Sequence, residues 1–141
     1  MNEIHRLAQL ITACWRVSGE SSRIPTSHGL LDRALKATTE IGAFPEWARG
    51  KLHFVDSRIG LQCVEIPDIL EWAQRSQLTS APNPSYETTE VQISDRAAKH
   101  LLSQLGIGQE DAKSWGTTLR SEMDKAEEQL AGLGHTLVEE Y

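Results

Sequence analysis

The sequence holds little of what most recognisable chemistries need. Its 141 residues include two cysteines, Cys14 and Cys63, too few for a disulfide framework and in no Cys-x-x-Cys arrangement. None of the five histidines stands in a His-Glu-x-x-His or comparable metal-ligand spacing. The ten glycines are scattered as punctuation rather than gathered into a loop that could cradle phosphate. No apolar run approaches the roughly 18 residues that suggest a bilayer span, and the opening Met1-Asn2-Glu3-Ile4-His5-Arg6 has no signal-peptide core. These absences lead to the expectation of a cytoplasmic protein without membrane segment, metal or cofactor, and without catalytic activity.

What is present is an ordinary globular composition, 39% hydrophobic and 24% charged, enough to build a real core. One domain over residues 1–141 is the simplest organisation. A subdivision would place helices and a hairpin in 1–78, a linker-like stretch in 79–85 and a helical part in 86–141, because Thr79-Ser80-Ala81-Pro82-Asn83-Pro84-Ser85 is the one linker-like run. Charge is uneven. Residues 1–62 carry eight Lys/Arg against six Asp/Glu, whereas residues 63–141 carry six against fourteen. The second half therefore repels phosphate and favours a basic partner.

Helical spacing of Ile4, Leu7, Ile11, Cys14 and Trp15 predicts a first helix ending near Ser18-Gly19. Residues 19–25 read as a loop, and Thr26 or Ser27 as the cap of a second helix that Gly42 ends. A short helical turn at Pro45–Arg49 leads to a hairpin between Lys51 and Glu65. There Leu52, Phe54, Leu61 and Cys63 alternate with His53, Val55, Gln62 and Val64. Pairing Phe54 with Leu61 and Leu52 with Cys63 gives one uniformly apolar face, with Cys63 inward and His53 outward. Pro67 opens a helix carrying Ile69, Leu70, Trp72 and Ala73. Residues 86–93 are rich in β-branched side chains and read either as a third strand beside the hairpin or as extended chain. Ser94 caps a helix that Gly106 closes.

A last helix is predicted from Gln109 to about Ala131. Its Leu119, Met123, Ala126, Leu130, Leu133 and Leu137 step alternately by four and three residues, either a core-packing face or a homodimer seam. The resulting expectation is an α+β fold, mainly helical, with about five helices packed on a small antiparallel β-hairpin or three-stranded sheet.

The helix from Leu30 to Ile41, the turn at Gly42-Ala43, the short helix at Pro45–Arg49, the hairpin, and the helix with Asp68 and Trp72 occur in an order similar to excisionase-like winged helices. The resemblance covers about a third of the chain. It implies a DNA-binding regulator using residues 30–75, with Arg49, Lys51 and Arg58 on phosphates and a wing at Ser57–Gly60. The position of its recognition helix, however, holds Pro45-Glu46-Trp47-Ala48-Arg49 rather than a basic or polar run. The leading expectation is a non-catalytic protein-interaction module of adaptor, immunity, antitoxin or chaperone-like type. Its acidic C-terminal half would engage a basic protein, or a second copy through the last helix. Trp47 and Trp72, which bracket the hairpin, are candidate interface residues because Trp is enriched in binding hot spots, and Leu119, Met123 and Leu130 because they lie on the heptad-like seam.

Overall fold

The computed structural model describes residues 2–81 and 87–139, with side chains as far as residue 132. The fold is mainly helical α+β: six α-helices and two separate two-stranded antiparallel sheets among the described residues. No helix among them is long and apolar enough to cross a membrane.

Asn2 starts the first helix, α1 (Glu3–Ser18), by accepting the Ile4 N–H at 2.8 Å on its side-chain oxygen. That satisfies one of the donors every helix start leaves open. Leu7, Leu10, Ile11, Cys14 and Trp15 recur at helical spacing and are all buried, the stripe by which an amphipathic helix joins a core. The segment read as a loop then contains strand β1 (Arg23–Pro25), and a turn of 3-10 helix at Ser27–Gly29 follows. Neither Thr26 nor Ser27 caps helix α2 (Leu30–Glu40) by its side chain; Gly29, left-handed at φ 69°, holds the N-cap position. Gly42, at φ 91°, follows the end of α2.

Helix α3 (Glu46–Arg49) is a single turn with Pro45 as its N-cap, and strands β2 (Phe54–Ser57) and β3 (Gly60–Cys63) form the hairpin. Its register differs from the expected one. Phe54 lies opposite Cys63, Val55 opposite Gln62 and Asp56 opposite Leu61. Only Arg58 and Ile59 connect the strands, and Gly60 at φ 110° supplies the left-handed residue that follows the tight turn. The displacement is two residues along the ladder, so every side chain keeps its face: Cys63 is buried and His53 points outward.

Helix α4 (Ile66–Arg75) has Pro67 in its first turn, where the missing N–H breaks no helical bond. Beyond it, Ser80 N–H donates to Glu90 O, Gln92 N–H donates to Leu78 O, and Thr79 bridges Val91. The start of the linker-like stretch is thus tied into β-structure, while residues 82–86 lie outside the described residues. The third strand is real but misplaced in the expectation. Strand β4 (Thr88–Glu90) pairs with β1, not with the hairpin.

Helix α5 (Asp95–Gln104) begins at Ser94, whose hydroxyl accepts the Ala97 N–H at 3.0 Å. Helix α6 (Gln109–Glu139) continues through Gly132 and Gly134, beyond the end expected near Ala131. Helix α1 packs against α4, α5 and α6, and α2 packs against α6. One apolar cluster joins Leu7, Ile11 and Leu35 to Leu102, Leu119 and Met123, so residues on both sides of the 79–85 stretch share a core.

Two devices fit α6 to α1. Gly116 faces α1 where a side chain has no room: a methyl there would collide with the Cys14 carbonyl oxygen and lie 2.5 Å from Ser18 Oγ. One turn on, Arg120 stacks 4.3 Å over the Trp15 ring and donates to Trp15 O, Ser18 Oγ and Ser21 O. Those acceptors lie at and just beyond the end of α1, where carbonyls lack helical partners. Burial, and the nearby positive charge of Arg16, lower the pKa of Arg120. Arg16 in turn donates to the carbonyls of Val91 and Ile93 at 2.8 and 2.9 Å, fixing the chain after β4 to α1.

Candidate interaction surface on the hairpin

Four large apolar side chains stand exposed among the described residues: Ile41, Val55, Ile59 and Val64. Scattered exposed apolar residues are normal. Three of these four, however, share the β2–β3 hairpin, and the register explains how. Val64 N–H donates to His53 O at 2.8 Å, so His53 and Val64 form a hydrogen-bonded pair, with Val55 and Gln62 on the same side two residues along. Val55 and Val64 are therefore diagonal neighbours on one face, and Ile59 stands at the tip of that hairpin, 84% exposed. The tip is held by Ser57, whose Oγ donates to Gly60 O and accepts the Ile59 N–H.

The opposite side of β3 is closed by α2. Cys63 belongs to a pair that is not hydrogen-bonded, so its N–H points outward from the ladder and donates to Asp32 Oδ2 at 2.6 Å. This close approach depends on two successive left-handed residues, His28 at φ 56° and Gly29 at φ 69°. A Cβ on Gly29 would lie 3.4 Å from Leu61 O. A left-handed non-glycine residue such as His28 carries strain of about 1–3 kcal/mol. Between the hairpin face, the first turn of α2 and the start of α4 lies an open groove of about 630 Å³, walled by Val55, Ile59, Val64 and Pro67, with Asp32 and His28 at its α2 side.

The candidate residues from the sequence fall elsewhere. Trp47 is half-buried beneath the Arg6 guanidinium, 4.1 Å from the ring centroid, and Trp72 is half-buried with the His5 ring stacked on it at 4.2 Å. Helix α1 thus occupies a face of each. Leu119 and Met123 are buried in the core cluster and have no surface left for a partner; Leu130 is half-buried against the same cluster. The first part of the heptad-like seam is therefore intramolecular, and the side chains of Leu133 and Leu137 lie outside the described residues.

The three cations of the winged-helix reading are likewise dispersed. Arg49 donates to Gly42 O at 3.0 Å, Lys51 pairs with Glu3 at 3.0 Å, and Arg58 is exposed at the hairpin tip. Helix α3, in the recognition position, is four residues with Ala48 buried, about 6 Å of helix, too short to lie along a DNA groove.

Below the hairpin, Glu65 accepts the His53 N–H at 2.6 Å, contacts His53 Nδ1 at 2.9 Å, and lies 3.8 Å from Cys63 Sγ. Burial pushes the Cys63 thiol up to about 12, and Cys14 to about 12 for the same reason. Both are protonated thiols at neutral pH rather than nucleophiles. Among the described residues no group of three His, Cys, Asp or Glu converges as a ligand set.

Sequence reasoning passed over Val55, Val64 and Asp32 as contact residues and took Ile59 only as part of the wing at Ser57–Gly60. The available signal was an isoleucine in a tight turn, together with valines at positions already assigned to the outward face. No protein-family model, curated protein or solved structure matches this chain.

Proposed function

We propose that this chain is a non-catalytic intracellular protein-interaction module whose recognition surface is the hairpin face and the groove beside it. The observation that carries the reading is the concentration of Val55, Ile59 and Val64 on one hairpin. An apolar patch rimmed by polar residues is the usual mark of a surface that another molecule covers. The rim here is supplied by His53, Gln62 and Thr26. The acidic balance of residues 63–141 gives the partner its sign: a basic protein is drawn in and oriented by the long-range field, while an acidic one is repelled. The adaptor, immunity, antitoxin and chaperone-like roles share this requirement.

A photo-crosslinking amino acid placed at position 59, in the cells that make the protein, tests the reading. A discrete adduct with a basic protein is expected at position 59, absent when the probe sits at exposed Ser103 on α5 and lost when Val64→Asp accompanies it. Equal adducts at 59 and 103, or none at 59, would sink it.

A further inference from the structure

The groove lining combines long apolar walls with one formal charge of fixed sign. Among its described lining residues Asp32 is the sole carboxylate, and none is Lys or Arg. The Cys63 N–H occupies Asp32 Oδ2, using one of the roughly four acceptor positions a carboxylate offers. An apolar side chain laid over Asp32 would strip water from that charge without replacing it. An acidic one would add repulsion. A lysine or arginine satisfies both parts of the site, because its methylene stem lies on apolar surface while its head makes charge-assisted hydrogen bonds.

We propose, building on the interaction-module reading, that the groove holds an arginine or lysine side chain of the basic partner. The stem lies against Val55, Ile59, Val64 and Pro67, and the head pairs with Asp32. The volume of about 630 Å³ falls within the ~300–1,000 Å³ span of sites that enclose a small ligand, so the side chain enters with part of its own backbone. The strained His28-Gly29 turn acquires a purpose beyond closing the sheet edge: it brings the first turn of α2, and with it Asp32, to the rim of the hairpin face. Charge also selects against a second copy as the occupant, since each chain carries −6 and two such chains repel.

The test uses the 15N-labelled full chain titrated with the amidated peptide acetyl-Gly-Val-Arg-Val-Gly and with its citrulline counterpart, which keeps the shape and loses the charge. The arginine peptide is expected to shift the amides of Asp32, Val55, Ile59 and Val64 and to bind at least tenfold more tightly than the citrulline peptide. In Asp32→Asn, which keeps an oxygen for the Cys63 N–H, the two peptides should bind alike. Ile59→Ser, a change at an exposed position, should weaken both and serves if Asp32→Asn fails to fold. Equal binding of the two peptides to the native groove would overturn the cation site while leaving the interaction surface standing. No shift with either peptide at millimolar concentration, or shifts confined to other surfaces, would also overturn it. So would self-association that Arg58→Glu abolishes, because the occupant would then be a second copy. Loss of the position-59 adduct as well would remove the surface reading itself.

Discussion

The α1–α6 contact and the face of the β2–β3 hairpin draw on similar apolar side chains and leave them in opposite conditions. Between the helices, Leu7, Cys14, Leu119 and Met123 are at most 2% exposed, Gly116 removes even a methyl from the seam, and Arg120 supplies hydrogen bonds to the end of α1. On the hairpin, about half of Val55 and Val64 and most of Ile59 remain in water while the backbone beneath them is paired. Order without cover distinguishes the hairpin face from the core. In the helix pair every group answers another group of the same chain; on the hairpin the apolar face has no intramolecular counterpart among the described residues.

That contrast can be broken at either end. The largest effect is expected from Gly116→Val, which forces the α1–α6 seam apart. Overpacking a tight contact costs about 1–3 kcal/mol and occasionally more, read as a lowered denaturant midpoint, and an unchanged midpoint would show that the seam yields. Next come the two buried thiols. Their folded-state pKa values, raised from 9.0 to about 12, leave stability intact below pH 9. Above it the unfolded chain releases thiol protons that the folded chain retains, so stability falls as the pH rises from 9 towards 12. Stabilities from urea titrations should fall with pH more steeply across that range in the native chain than in Cys14→Ala/Cys63→Ala. The smallest effect sharpens the comparison from the other side. Ile59→Ser and Val64→Thr should change stability by less than about 0.5 kcal/mol; a loss above about 1 kcal/mol would mean that the hairpin face already belongs to the core.

The helices were legible because their signal is local. The stripe from Leu7 to Trp15, the Ser94 cap and the glycine after α5 each declare themselves within a few residues. The hairpin's existence and its inward and outward faces were legible too, from the alternation of Leu52, Phe54, Leu61 and Cys63 with their neighbours. Its register was not, since sliding a strand by two residues keeps every side chain on its face and leaves the alternation unchanged. Strand β1 escaped because three residues, Arg23-Ile24-Pro25, carry no period of their own and owe their conformation to Thr88–Glu90, some 65 positions away. Leu119 and Met123 show a further limit. A heptad-like spacing states that a helix has one apolar face, and whether the chain itself or another copy covers that face depends on packing. The groove was least legible of all, because it joins the first turn of α2, the hairpin and the start of α4, and its acid lies in sequence among ordinary helix residues.

The position of α1 also matters to the order in which the protein is made. Its buried stripe rests mainly on α4, α5 and α6, and the two latter helices are synthesised long after it. At about 5–20 residues per second, several seconds pass between completion of Ser18 and the arrival of Met123. Until then the face of α1 that α6 covers stays open, so a ribosome stalled before residue 109 would present a chain whose core lacks one wall.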